Sequence, residues 1–143
     1  MSDLSTAVYK KKLPRNLHTK RNDHQIKEDL HLKVKDAFEK KKIEKGGIIV
    51  EGTAGNTGIG LAVVCKEFGL DLKIVIPKTQ SIEKKNTLKR LGAELIEVEA
   101  VPYSNPNNYI KQSKRIAEEL SKKHKFGDVL GNQFANIVNP KAH

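Results

Sequence analysis

The stretch IIVEGTAGNTGIGLAVV, residues 48–64, contains the features that decide the fold. Ile48, Ile49 and Val50 form the short apolar run that is typical of a buried strand. A loop of glycine, threonine, alanine and asparagine follows, and an apolar stretch begins at Ile59. A strand, a loop of small residues and a helix start in this order present free backbone N–H groups at the positive end of a helix dipole. The stretch therefore predicts a site for an anionic group, either a phosphate or a carboxylate.

Helices and strands are predicted to alternate on both sides of this stretch. Helical periodicity starts at Gln25, and we expect the Gly46-Gly47 pair to end that helix. Further helices are predicted at residues 57–69, 81–92 and 105–124, and strands at 47–52, 72–77, 93–100 and 127–134. This alternation indicates an α/β fold of three layers, α/β/α, around a mostly parallel four-stranded sheet. Such sheets bind ligands at the carboxyl ends of their strands, where the loop after Val50 lies.

The length of 143 residues suits one domain. Residues 1–24 show no sustained periodicity, and we expect a basic arm without regular structure there. The α/β domain is assigned to residues 25–143. The formal charge is +10, and residues 1–45 carry most of it, with 13 Lys and Arg against 7 Asp and Glu. This basic balance raises nucleic-acid binding as an alternative function. Aromatic residues make up only 5% of the chain, and no nucleic-acid-binding or zinc motif is visible, so neither that function nor a metal site is predicted.

Several features concern the cellular compartment. No apolar run approaches the roughly 18 residues of a membrane span, and the start of the chain lacks the apolar segment of a secretory signal. The single cysteine, Cys65, excludes an internal disulfide and fits a reducing compartment. Its apolar neighbours indicate a small core residue on a buried helix face. A cytoplasmic location is expected, and a mitochondrial one is the alternative because the arm is basic and nearly free of acids.

The glycines of the loop invite comparison with dinucleotide-binding sites. The segment GNTGIG lacks the glycine spacing of that fingerprint, and Lys78 and Thr79 stand where an acid is expected after the next strand. We therefore exclude a nicotinamide dinucleotide as the ligand. Glycines also serve tight turns without any ligand, but a turn alone does not explain the added asparagine and two threonines.

Several blocks of the chain resemble one known family. The segment VEGTAGNTGIGLA is similar to the asparagine loop of the cysteine synthase and cystathionine β-synthase family, which are pyridoxal-phosphate enzymes with the tryptophan synthase β fold. The resemblance continues through IVIPKTQSIEKKNTLKRLGAELIEV, VPYSNPNNY and NQFANIVNPKAH, and covers about residues 33–143. The variant EGTAGNTG, together with VPYSNPNNY, resembles the cysteine synthase branch more than the cystathionine branch. The resemblance implies the small domain of a fold-type II pyridoxal-phosphate enzyme that makes L-cysteine from O-acetylserine and sulfide.

The resemblance implies a role for each residue of the loop. The substrate's α-carboxylate would be held by Thr53, Ala54, Gly55, Asn56 and Thr57. Asn56 would also bind the ring oxygen of the cofactor. Gln133, in the block NQF, would bind the same carboxylate. Backbone N–H groups and threonine hydroxyls at a helix start suit a carboxylate ligand.

A lysine that forms a Schiff base with the cofactor is also implied. In the family it lies in a segment like NPGGSVKDR, some thirty residues before the asparagine loop. The counterpart here is NDHQIKED, residues 22–29. The count from the loop reaches Ile26, and a gap of one residue brings Lys27 into register. Asp23, His24 and Gln25 replace the family's glycines. Lys35, in VKDA, resembles the motif by eye but lies too close to Asn56.

The family fold continues beyond the last block that matches this chain. The glycine-rich loop for the cofactor phosphate and the group facing the pyridine nitrogen belong to that later part. The resemblance therefore implies a truncated cysteine synthase-like chain that binds a small amino-acid substrate. The alternative is a degenerate, non-catalytic domain that acts in a homo- or hetero-oligomer with a full-length relative.

Overall fold

The computed structural model describes residues 22–53, 56–124, 128–131 and 134. Of the arm predicted at residues 1–24, residues 1–21 lie outside the described part of the chain. The described helices are α1 (Asp23–Glu39), α2 (Asn56–Phe68), α3 (Ile82–Arg90) and α4 (Tyr109–Lys123). The described strands are β1 (Ile48–Gly52), β2 (Asp71–Pro77), β3 (Glu94–Val98) and β4 (Val129–Gly131).

The four strands form one parallel sheet in the order β3-β2-β1-β4. Alternate residues of the central strands face different helices, because successive side chains of a strand point to opposite faces. Ile49, Ile74 and Ile76 join a core cluster with residues of α1, α2 and α3. Helix α4 packs instead against β1, β2 and β4. The predicted three-layer α/β/α architecture is thus confirmed.

The strand order places the carboxyl ends of β1 and β4 side by side. The chain runs outward from β1 through β2 to β3, and then crosses back to place β4 on the other side of β1. In open α/β sheets, ligands bind at the point where the strand order reverses, outside the carboxyl ends of the strands. Here that point lies between β1 and β4, where Val50 pairs with Gly131. The carboxyl end of β1, from which the loop after Gly52 leaves the sheet, therefore lies beside the carboxyl end of β4.

Helix α1 differs from its prediction at both ends. It begins at Asp23, because the Asn22 side chain caps it by accepting a 2.8 Å hydrogen bond from the Gln25 backbone N–H. The predicted arm is therefore too long at its end. The helix ends at Glu39 rather than at Gly46-Gly47, and Lys41 adopts a left-handed φ of 61°. The exposed lysines after Glu39 offer no apolar side chain to the core, so tertiary packing gives no reason to continue the helix.

Two other helix starts depend on side-chain caps. Ser81 caps α3 by accepting a 3.2 Å hydrogen bond from the Lys84 backbone N–H, as its position predicts. Helix α4 begins at Tyr109, four residues later than predicted. Its cap is Asn108, whose side-chain oxygen accepts a 2.9 Å hydrogen bond from the Ile110 N–H. The four preceding residues form turns.

Cys65 lies inside the core cluster, as predicted from its neighbours. Burial, assisted by the negative charges of Glu51 and Asp71, raises the pKa of its thiol to about 12. The thiol is therefore protonated at neutral pH, which makes it a packing residue rather than a nucleophile. Within the described ranges, no helix is both long enough and apolar enough to cross a membrane.

Leu30 is a fully buried residue through which α1 packs on the core, and we expect its replacement to destabilise the domain strongly. Replacing Leu30 by alanine removes buried apolar atoms and leaves a cavity, so we expect the free energy of unfolding to fall by about 3 kcal/mol. Leu32, on the same helix, is 63% exposed and supplies a matched control. The Leu32→Ala change should stay within about 0.5 kcal/mol of the parent chain. Urea unfolding measures both values, and equal losses for the two variants would contradict this packing of α1.

Candidate functional site

The loop after β1 is anchored on its inner side by two threonines. The Thr53 N–H donates a 3.2 Å hydrogen bond to the Val75 carbonyl, which extends the pairing of β1 with β2 by one residue. Both Thr53 and Thr57 are buried. The Thr53 methyl group lies 3.0 Å from where a Cβ would stand on Gly58, so the loop packs tightly on the first turn of α2. Ala54 and Gly55, between these anchors, lie outside the described residues.

Asn56 occupies the first position of α2 and is exposed. Its Nδ2 donates a 3.1 Å hydrogen bond to Oδ1 of Asp23, which is the first residue of α1. The N-termini of two helices therefore meet at this contact. A carboxylate is favourable there, because the free N–H groups of each helix end carry partial positive charge.

Helix α1 crosses α2 at Gly60. A Cβ on Gly60 would lie 3.1 Å from Leu30 Cδ1, 3.4 Å from Ile26 Cγ2 and 3.8 Å from Lys27 Cα. The missing side chain allows this close approach. Ile26 is buried in the core, whereas the half-buried Lys27 lines a surface pocket.

The pocket has a polar end and an apolar wall, and it encloses about 150 Å³. Asp23, Lys27 and Asn56 form the polar end. Ile59, Gly60 and Val63, from the next turns of α2, form the wall. Sites that enclose a small molecule usually start at about 300 Å³, so these residues form one side of a site rather than a complete cavity. Among the described residues that line the pocket, Lys27 has the only cationic side chain.

A buried carboxylate near the carboxyl end of β1 is hydrogen-bonded to a residue far away in the sequence. Glu51 is fully buried, and its Oε2 accepts a 3.2 Å hydrogen bond from the Phe134 N–H. Phe134 is fully buried too, and Lys33 Nζ lies 5.8 Å from the centre of its ring. Gln133 lies outside the described residues, next to Phe134 in the chain. The contact ties Phe134 to Glu51, the next-to-last residue of β1.

The structure brings some of the predicted site residues together and separates others. Lys27 and Asn56 line the same pocket, although 29 positions separate them in the sequence. Thr53 and Thr57 are buried and are not among the described lining residues of the pocket, and their binding role remains a prediction. The described part of the chain contains no group of three or more His, Cys, Asp or Glu residues that could hold a metal ion.

The sequence did not predict two acidic residues of this region, Asp23 and Glu51. Asp23 was assigned to the arm. The pair Asn22 and Gln25 carried a signal against that assignment, because an asparagine followed by glutamine at the third position is typical of a helix start. No sequence pattern distinguishes Glu51 from a surface glutamate at the end of a strand. Its hydrogen-bond partner Phe134 is 83 residues away in the chain.

Similarity to known proteins extends over most of the chain. The model of the pyridoxal-phosphate dependent enzyme family matches residues 29–143. Cysteine synthase 1 of Neurospora crassa is 51% identical over 110 residues, which are 77% of this chain and 28% of that protein. Cystathionine beta-synthase of Dictyostelium discoideum is 36% identical over 114 residues, which are 79% of this chain and 22% of that protein.

The fold is also similar to that of a solved structure. A hydrogen sulfide-producing enzyme from Fusobacterium nucleatum superposes with a TM-score of 0.60 at 38% sequence identity. The superposition covers 82% of this chain and 36% of that enzyme. The chain thus spans less than a third of the two sequence relatives and little more than a third of this structural one.

Proposed function

The chain belongs to the pyridoxal-phosphate dependent enzyme family, and from this premise we propose that it is a cysteine synthase-like protein whose cofactor lies against the pocket between α1 and α2. The observation that carries the proposal is the meeting of Lys27 and Asn56 in one pocket. A primary amine and an amide donor on an apolar wall are the groups that a carbonyl-bearing aromatic cofactor needs at one edge.

The donor set of the pocket fits one end of pyridoxal phosphate. The Lys27 amine matches the aldehyde, the Asn56 amide matches the ring oxygen, and the wall of Ile59 and Val63 matches the apolar ring. When bound, pyridoxal phosphate withdraws electrons from the substrate's α-carbon. The lining residues that the structure describes include no second cation for the phosphate group. The pocket would therefore hold the reactive end of the cofactor, and the phosphate would extend beyond the lining residues.

Each of the two pocket residues has a separate task in this proposal. Lys27 would attach the cofactor and would accept and return a proton at the substrate's α-carbon. Asn56 would orient the ring by donating an N–H to its oxygen. The first turn of α2 offers free backbone N–H groups, which suit the substrate's carboxylate. The proposed reaction replaces the acetate of O-acetylserine by sulfide and gives L-cysteine and acetate.

Substitution of Asn56 tests the proposal through turnover. With pyridoxal phosphate, O-acetylserine and sulfide, we expect the purified chain to form L-cysteine, and Asn56→Ala to lower kcat/KM by about 100-fold because a positioning donor is lost. Asn86 is an exposed asparagine of α3, away from the pocket, and Asn86→Ala serves as the matched control with the parent rate. A parent rate no higher than that of cofactor and substrates alone would contradict catalysis by this chain.

A second candidate is a non-catalytic domain that associates with a full-length relative in a homo- or hetero-oligomer. The size of the pocket supports it, because the described residues supply only one side of a small-molecule site. The two candidates differ in the same assay. Turnover that appears only after a full-length cysteine synthase is added, together with a complex of the two chains in size-exclusion chromatography, would favour the second.

A further inference from the structure

The hydrogen bond between Asp23 and Asn56 fixes the direction of an amide. A carboxylate oxygen accepts hydrogen bonds and donates none, so the nitrogen of Asn56 must face Asp23. An asparagine amide free of such a partner populates two orientations that differ by a half turn. Asp23 therefore selects one orientation and places the Asn56 carbonyl oxygen on the opposite side. The second N–H of the same nitrogen remains available to a ligand.

Three features hold the two residues in this relation. Each residue is the first of its helix, so neither has several flexible residues between it and a rigid element. The helices are locked one turn further along, where Ile26 and Leu30 pack closely against Gly60. Asp23 and Lys27 are four residues apart on α1 and line the same pocket as Asn56. Any movement of Asp23 would thus change the position of Asn56 relative to the lysine.

We propose that Asp23 is a positioning residue, which sets the Asn56 amide as an N–H donor toward the ligand that shares the pocket with Lys27. The proposal deepens the proposed function and rests on it for the identity of that ligand. The ligand group at Asn56 would be a hydrogen-bond acceptor, such as a ring oxygen. The carboxylate of Asp23 disfavours a second carboxylate at the same position, because like charges repel at short distance. Asn56 would therefore serve the cofactor, and the substrate's carboxylate would bind elsewhere on the first turn of α2.

The first arm of the test uses the chain without cofactor. Two-dimensional ¹H–¹⁵N NMR gives the side-chain NH₂ signals of Asn56, which are identified by their absence in Asn56→Ala. In the parent chain we expect the two protons to differ in shift from those of a free amide. Asp23→Ala should move both signals to free-amide positions, whereas Asp23→Asn, whose side-chain oxygen also accepts a hydrogen bond, should retain most of the difference. Signals unchanged by Asp23→Ala would overturn the proposal whether or not the chain binds cofactor.

The second arm measures the affinity for pyridoxal phosphate by absorbance titration. Asp23→Ala should raise Kd by about tenfold, because an undirected amide loses most of one hydrogen bond, and Asp23→Asn should restore most of the affinity. Thermal unfolding of each variant separates this effect from a loss of structure. An unchanged Kd in Asp23→Ala would overturn the positioning role. A parent chain that shows the NMR effect but binds no cofactor would instead contradict the proposed function and leave the Asp23–Asn56 contact in place.

Discussion

Replacement of Gly52 by valine is expected to abolish cooperative folding of the domain. A Cβ on Gly52 would lie 2.7 Å from Ser113 Oγ, 2.9 Å from the Tyr109 carbonyl oxygen and 3.0 Å from Ile110 Cα. Two of these atoms belong to the backbone of α4, so no side-chain rotation relieves the clash. Helix α4 would have to move away from β1, against which it packs. Glycine is therefore required at position 52, because the backbone of α4 lies too close to β1 for any side chain there.

The size of the effect should follow the size of the side chain. Gly52→Ala should lower the free energy of unfolding by about 3 kcal/mol, at the upper end of ordinary overpacking costs. Valine adds two methyl groups in the same space, and its cost should approach the whole stability of a small domain, about 5 kcal/mol or more. Urea unfolding followed by circular dichroism measures the free energy of unfolding of Gly52→Ala. The same experiment should show no cooperative transition for Gly52→Val.

Gly60 provides a matched control for Gly52. A Cβ there would lie 3.1 Å from Leu30 Cδ1 and 3.4 Å from Ile26 Cγ2, which are ends of flexible side chains, and the nearest backbone atom, Lys27 Cα, is at an ordinary contact distance of 3.8 Å. Gly60 also lies inside α2. Alanine exceeds glycine by about 1 kcal/mol in helix propensity, which offsets the crowding. Gly60→Ala should therefore remain within about 1 kcal/mol of the parent chain. A Gly52→Ala variant as stable as Gly60→Ala would show that α4 does not rest on the end of β1.

The sequence was sufficient to predict the architecture because its signals are local. The apolar runs of β1 and β2 and the periodicity of the helices predicted both the parallel sheet and the end of the sheet that carries the loop. The cap of α3 at Ser81 is a local feature too. A cap depends on the residue itself and on the backbone N–H a few positions further on.

The features that the sequence could not predict depend on contacts between distant segments. Helix α1 ends at Glu39 because the lysines that follow would have no apolar surface to pack against. Local helix propensity does not reveal this, since it contains no information on tertiary contacts. The count along the chain reaches Ile26, and a gap of one residue is needed to bring Lys27 into register with the family lysine. In the structure Lys27 lines the pocket with Asn56, whereas Ile26 is buried in the core. The contact of Asp23 with Asn56 spans 33 residues and has no sequence signature.

The second large effect concerns Lys27, on which the proposed function depends. Lys27 lies half-buried in the pocket with Asn56, one helical turn after Asp23. Lysines on a protein surface also react with pyridoxal phosphate, so binding alone does not identify a site. A lysine held beside a donor and an apolar wall should react at lower cofactor concentration than the exposed ones. Lys27→Ala should therefore abolish site-specific attachment completely.

Lys35 supplies the matched control for this substitution. It lies on the same helix, is exposed, and stands in the segment VKDA that resembles the family motif by eye. Lys35→Ala should leave attachment to the pocket unchanged. Equal losses in the two variants would indicate a general effect of α1 charge rather than a site at Lys27.

The most direct test of the cofactor site is to reduce the chain with borohydride in the presence of limiting pyridoxal phosphate and to locate the label by peptide mass spectrometry. The account predicts about one pyridoxyl group per chain, on Lys27, with a visible absorption band that disappears on reduction. The label and the band should be absent in Lys27→Ala and present in Lys35→Ala. A label spread over the exposed lysines, and unchanged by Lys27→Ala, would contradict the assignment of the pocket between α1 and α2 as the cofactor site.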